Sequence, residues 1–228
     1  MAAPVPGPSM PDVLAALRDD NYRMGACSVI PYDAKRASVF GDHYLYNVLY
    51  RQCIESRPGA EWGILPDACC GMSDLSADAI CAYWSTRRII VLAVDDPSEP
   101  SGFKTAGFAY PTVFVGSQPG TPNPSPRAMV GAYVYFRPYW GTNEIRVLHM
   151  LSLAYMFTAS NVTAIPGQRY STNSLTARFS AQFGFRDTGL LPRFLSHYDG
   201  ESIRDCTLST LLREDFVKYV MEQLLTLA

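Results

Sequence analysis

The sequence predicts an α/β domain, a mixed and mostly antiparallel sheet flanked by helices. Three observations predict it. Strand-like apolar runs and helical-period segments follow one another along the chain with no internal repeat. The stretch NSLTARFSAQFGFRDTG, from Asn173 to Gly189, reads as an amphipathic helix, a Gly184 stop and a strand starting at Phe185. The 228 residues are 48% apolar and only 18% charged, which suits one well-filled core and excludes a disordered chain.

The elements follow in order. Residues 11–17 place Val13, Leu14 and Leu17 on one helix side, and residues 27–30 form a first strand stopped by Pro31. Phe40, Tyr44, Leu45, Val48, Leu49 and Ile54 repeat at helical spacing, with Asp42 in the first turn where a negative charge suits the helix dipole. Residues 75–84 form a shorter helix. Residues 87–94 form a strand closed by the turn Asp95-Asp96-Pro97. Residues 105–115 are a third strand, in which Pro111 demands a bulge or an edge. The Pro- and Gly-rich run 117–127 is an exposed loop.

Residues 129–136 form a fourth strand. Val130, Ala132, Val134 and Phe136 face one side, Tyr133 and Tyr135 the other. Residues 145–157 are apolar nearly all round, so that helix is buried. Residues 161–165 form a fifth strand. After the Gly184 corner come strands at 190–194 and 206–211. A last helix uses Phe216, Val217, Val220, Met221, Leu224 and Leu225. The expected organisation is an N-terminal arm over residues 1–26, one domain over 27–211, and a C-terminal helix over 212–228 packed on it or on a partner.

Bulk chemistry narrows the functions. A net charge of −2 gives no electrostatic case for nucleic acid. The six cysteines make no CxxC pair and the chain has three histidines, so a metal site is not expected; the cysteines read as reduced thiols, with Cys69 and Cys70 too close in sequence to bridge each other readily. No run reaches the ~18 apolar residues of a membrane span, and the opening MAAPVPGPSMP is not a signal peptide. The expectation is a protein made in the cytoplasm and not secreted.

The helix–Gly–strand corner, with Ala177, Phe179 and Phe183-Gly184-Phe185, resembles that of the GNAT superfamily of acyl-CoA N-acyltransferases. The element order is similar over roughly residues 27–211. The resemblance implies three antiparallel strands leading to a central strand, then a buried helix and a fifth strand that splays from the fourth.

It also implies a site. A loop of backbone N–H groups at a helix N-terminus would hold the acyl-CoA pyrophosphate. That place here reads Phe136 to Leu148, FRPYWGTNEIRVL. Aligned on Pro138, the family's basic residue becomes Trp140, one glycine remains as Gly141, and the next falls on Asn143. Arg137, Trp140, Gly141, Thr142 and Asn143 are the cofactor-loop candidates; Ser174 best matches the family's helix-starting Asn, Asn173 is adjacent, and either residue can cap the helix. Thr142 also reads as an N-cap, with Glu144 in the first turn suiting the dipole but repelling a pyrophosphate. The family's acidic Tyr becomes Ser180, a far weaker acid. Tyr135 is the other catalytic candidate. His149, on an apolar helix, reads as a hydrogen-bonded core histidine. Tyr110, Tyr133, Tyr135, Tyr139, Trp140 and Tyr170 are expected around the cleft, where they suit an interface, a substrate pocket or core packing.

Two functions follow. The first is a GNAT-fold protein with a degenerate acyl-CoA site and no cofactor. It would be an oligomeric structural or assembly component whose partners are other protein chains. It is similar to the GNAT-like proteins of tailed phages and would be virion-associated. The Pro-rich start, with Pro4, Pro6 and Pro8, would fray unless neighbouring chains held it. The second is an active N-acyltransferase carrying an acetyl group from acetyl-CoA to an amine.

Overall fold

The computed structural model describes residues 22–32, 89–114, 128–159, 162–196 and 203–227. Eight strands form one sheet: β1 (Arg23–Met24), β2 (Cys27–Pro31), β3 (Ile90–Asp95), β4 (Phe103–Phe114), β5 (Ala128–Tyr135), β6 (Ala164–Tyr170), β7 (Arg186–Ser196) and β8 (Ile203–Leu212). Their order across the sheet is β1-β2-β3-β4-β5-β6-β8-β7. Every pair is antiparallel except β5 with β6, which run parallel. The helices are α1 (Asn143–Ala159), α2 (Ser174–Ala181) and α3 (Arg213–Leu227). This is the mixed, mostly antiparallel α/β architecture that the sequence predicts. The expected helices at 11–17, 40–54 and 75–84 and the loop at 117–127 lie outside the described residues.

Three elements differ from the sequence reading. Arg23–Met24, inside the segment read as an arm, pairs with Cys27 and Ser28 as a short hairpin. β6 covers residues 164–170 rather than 161–165. Pro166 and Gly167, beyond the span read as a strand, both sit in register against Thr210 and Ser209. A Cβ on Gly167 would stand 2.8 Å from the Ser209 hydroxyl, so β6 and β8 approach closely there. β7 is one eleven-residue strand, with register shifts at Asp187/Gly189 and Leu191/Leu195. Pro192 and Arg193, at φ 51°, fall in the second shift. Such irregularity blunts an edge strand against pairing with other chains.

Pro111 keeps its register with Gly131 on β5, while β3 pairs with β4 only as far as Ala109 among the described residues. The missing N–H therefore falls on a local edge, one of the two outcomes its chemistry allows.

The core is organised on α1. Leu148, Leu151, Leu153, Ala154, Met156 and Phe157 are buried all round the helix, because it packs across β1–β4 on one side and against α2 and α3 on the other. Phe216 of α3 stacks on Phe157 at 5.4 Å, and Tyr219 meets Phe183 at 5.2 Å. The C-terminal helix thus packs on the domain. Cys27 and Cys206 are buried free thiols; burial, then Glu144 and Asp95, pushes Cys27 up to about 11, which leaves it unreactive.

The Gly184 corner forms as the sequence predicts, with a tighter end. Gln182, Phe183 and Gly184 each donate three residues back, to Phe179, Ser180 and Ala181. The regular helix therefore stops at Ala181 rather than Phe183. Phe185 N–H reaches back to the Ser180 carbonyl at 3.3 Å, which completes a Schellman motif around Gly184 at φ 92°. Gly184→Ala should destabilise the fold by about 1–2 kcal/mol, through left-handed backbone strain and a Cβ 3.3 Å from Leu211. Urea unfolding checks this; an unchanged midpoint would remove the corner from the list of structural constraints.

Candidate functional site

The site begins with a gap in the sheet. β5 and β6 pair at one position, Ala128 opposite Ala164, and then diverge. The direction of the β5 backbone follows from its other side. Phe136 N–H bonds the Ala106 carbonyl, so residue 136 turns its polar groups toward β4. Strand groups alternate, so Tyr133 and Tyr135 turn theirs toward β6, into the gap.

The loop that closes the gap runs from Phe136 into α1. Arg137–Tyr139 form a 3-10 turn, and Gly141 follows at φ 77°. A Cβ on Gly141 would meet nothing within 4 Å, so the backbone there is open to a ligand. Thr142 caps α1: its hydroxyl donates to the Tyr139 carbonyl at 2.8 Å and accepts from Ile145 N–H at 3.4 Å. That leaves other first-turn N–H groups of α1 without intrahelical partners. Asn143 and Glu144 are exposed at this end. Lys104 acts electrostatically on Tyr139, but its ammonium is held by Asp96 at 2.6 Å. Trp140 is 41% exposed, and its indole Nε1–H donates to the Tyr135 carbonyl at 2.7 Å.

Behind β5 lies a polar pair in an aromatic shell. The Tyr135 hydroxyl shares a short hydrogen bond with His149 Nδ1. Tyr133, Phe179 and Phe183 pack on the imidazole with ring centroids at 4.7, 5.0 and 4.5 Å. His149 Nε2 is buried without a hydrogen-bond partner among the described residues. Phe183 stands roughly perpendicular to the imidazole, a geometry that suits Nε2–H against a π face. That tautomer makes Nδ1 the acceptor and Tyr135 the donor. Burial pushes Tyr133 and Tyr135 up and His149 down to about 3, so the cluster is neutral near pH 7. Tyr135 can therefore orient a partner by hydrogen bonding but is neither a base nor a ready acid.

The other candidates divide. Asn173, not Ser174, caps α2, accepting from Thr176 N–H at 3.0 Å, while Ser174 opens the helix exposed. Ser180 is half-buried beside Phe179, whose ring reaches Tyr135 at 5.9 Å. No hydrogen bond of the described residues joins the Ser180 hydroxyl to Tyr135. Tyr170, expected at the cleft, is buried at 6% exposure because β6 extends to include it. Sequence reasoning missed Arg169, buried and bidentate to Asp187 at 2.7 Å for both bonds, since a lone Arg beside Tyr170 carries no signal of its partner. A cleft of about 240 Å³ opens nearby, lined by Ser171, Thr172, Ile203, Arg204 and Asp205.

Because the folded pKa of His149 lies below its ordinary value, the unfolded chain binds the extra proton between about 6.5 and about 3. Stability is full above that window and is lost as pH falls into it, by up to about 1.4 kcal/mol per pH unit. His149→Gln should flatten this slope between pH 6.5 and 4. The denaturation midpoint of both proteins across that range decides it, and parallel curves would sink the assignment.

No family model matches the sequence, and no curated protein matches it either. Solved structures do. RimJ of Mycobacterium smegmatis in complex with CoA-disulfide aligns with a TM-score of 0.59 at 17% identity, over 86% of this chain and 88% of that one. The ribosomal-protein-S5-alanine acetyltransferase of Vibrio fischeri gives 0.56 at 15%, over 85% and 97%. The spermidine N-acetyltransferase of Vibrio cholerae in complex with CoA and spermine gives 0.56 at 13%, over 84% and 98%. With one parallel pair that diverges in an otherwise antiparallel sheet, and with these neighbours, the chain has the fold of the GNAT acetyltransferases.

Proposed function

We propose that the chain is an N-acyltransferase that takes acyl-CoA, acetyl-CoA in the simplest case, into the gap between β5 and β6. The observation that carries this reading is the open Gly141 turn, placed where α1 begins and the gap ends. First-turn amides of α1 with Gly141, Thr142 and Asn143 would hold the pyrophosphate, with Arg137 and Trp140 on the same loop. The open backbone fits such a group; Glu144 opposes it.

When bound, acyl-CoA supplies an activated acyl group. The chain's own task is positioning, which needs no covalent intermediate on the protein. Tyr135, its own O–H donating to His149, would orient the acceptor amine by accepting from its N–H. As the amine forms its bond to the acyl carbon and the C–S bond breaks, Ser180 or water relays the proton that the nitrogen sheds to the departing thiolate, slowly, because a hydroxyl is a weak acid. Proteins of this fold named as a ribosomal-protein-S5-alanine acetyltransferase and a spermidine N-acetyltransferase support an amine as the acceptor class.

A second reading is a structural or assembly component with a degenerate site, as in a tailed-phage virion. Two observations favour it. Glu144 puts a negative charge at the helix end where a pyrophosphate would bind, and Trp140 stands where the resemblance places a basic residue. Leu190, Phe194 and Ile203 of the outer hairpin are 56%, 55% and 50% exposed, apolar surface that a partner chain would cover.

Calorimetric titration with acetyl-CoA separates the two. Micromolar binding supports the enzyme; no binding at millimolar ligand leaves the assembly reading. Gly141→Glu should then raise the acetyl-CoA dissociation constant at least ~10-fold, about 1.4 kcal/mol. Gly141→Ala serves as the control for backbone strain alone. Equal affinities for all three proteins would reject Gly141 as part of the site.

A further inference from the structure

We infer that Trp140 is the residue that sets which ligands the gap accepts, because its indole N–H holds the β5 edge carbonyl that an amide-bearing ligand arm must use. The inference rests on the acyl-CoA reading above and adds a determinant to it. Strand β5 offers an open edge toward β6 once the two strands part after Ala128 and Ala164. An extended ligand with amide groups would bind such an edge as a short added strand, trading hydrogen bonds with Tyr133 and Tyr135. CoA is of this class, since its arm carries two amides. One of these backbone groups, the Tyr135 carbonyl, is engaged by the chain itself at 2.7 Å.

The geometry that puts Trp140 there is local. The 3-10 turn at Arg137–Tyr139 reverses the chain after β5, and the positive φ of Gly141 then aims it into α1. The residue between them is five positions beyond Tyr135 and folds back over its carbonyl. The side chain remains 41% exposed, so it can swing off without opening the core. A ligand that lacks an amide arm need not displace it. Trp140 therefore penalises the arm and is indifferent to the nucleotide end, which the Gly141 turn would hold.

The test titrates wild type, Trp140→Phe and Trp140→Ala with acetyl-CoA and, separately, with ADP, which has the pyrophosphate but no amide arm. Phe keeps a ring and loses the N–H. Releasing one side-chain-to-backbone hydrogen bond should tighten acetyl-CoA about two- to tenfold in both variants, with ADP unchanged. In a Trp62→Phe, Trp84→Phe background, the Trp140 indole N–H resonance should shift on adding acetyl-CoA and stay in place with ADP. Wild-type binding with an unmoved indole resonance, or equal acetyl-CoA affinity in all three proteins, would overturn the role of Trp140 and leave the acyltransferase reading standing. Equal tightening of ADP would also overturn it, by placing Trp140 at the pyrophosphate instead. Absence of binding by either ligand to any of the three proteins would overturn both.

Discussion

Two parallel strands that separate after one paired position impose the constraint on which the rest of this molecule depends. Backbone N–H and C=O groups lining such a gap have no strand opposite them, and groups of that kind are costly to leave unmet away from water. The chain itself meets one of these groups, and packing closes the back of the gap. Side chains of Tyr133 and Tyr135 turn behind the sheet onto His149. α2 and the turn that follows it bring Phe179 and Phe183 against the same imidazole. The indole of Trp140 takes one edge carbonyl from the open side. The gap is thus walled by packing at its back and left accessible at its mouth, which is the shape a binding cleft requires.

The back wall has an unusual composition for a core. Three hydrogen-bonding side chains, Tyr133, Tyr135 and His149, sit among phenylalanines. Tyr133 donates to the Met156 sulfur at 3.6 Å, a weak acceptor, and Tyr135 bonds His149. Burial holds all three neutral, so the cluster adds directionality without the cost of a buried charge. Arg169 and Asp187 represent the opposite choice. There a carboxylate meets a buried guanidinium with two parallel bonds, and the arginine holds that carboxyl below its usual range. The carboxylate's half of the pair is 60% exposed, so water screens much of the attraction.

At the mouth, two demands on one helix end compete. The first turn of α1 stabilises negative charge, and Thr142 with Glu144 already supplies a cap and a carboxylate. An incoming pyrophosphate would use the same field and the same amides. Any binding there is weakened by what stabilises the helix, because the pyrophosphate and the Glu144 carboxylate carry the same sign of charge. This is why the two functional readings are separated by a titration rather than by the fold.

Much of the fold was legible in the sequence because it is encoded over short distances. The Gly184 stop, the two-sided alternation of Tyr133 and Tyr135 against Val134 and Phe136, and the all-round apolar α1 each follow from periodicity and backbone preference within a dozen residues. What failed was what depends on a partner. The 161–165 reading stops short of Pro166 and Gly167 because nothing local reveals that β8 will pair with them. β7 read as fragments because its register shifts exist only against β8. The candidate site divides in the same way. The loop Arg137–Asn143, the Thr142 cap and the core character of His149 came from local chemistry and from a resemblance to a known fold. That Tyr135 bonds His149, that Arg169 finds Asp187 and that Trp140 folds onto the Tyr135 carbonyl were decided only by tertiary structure. A side chain's hydrogen bonds depend on which groups meet it in space, and folding brings together residues far apart in the chain.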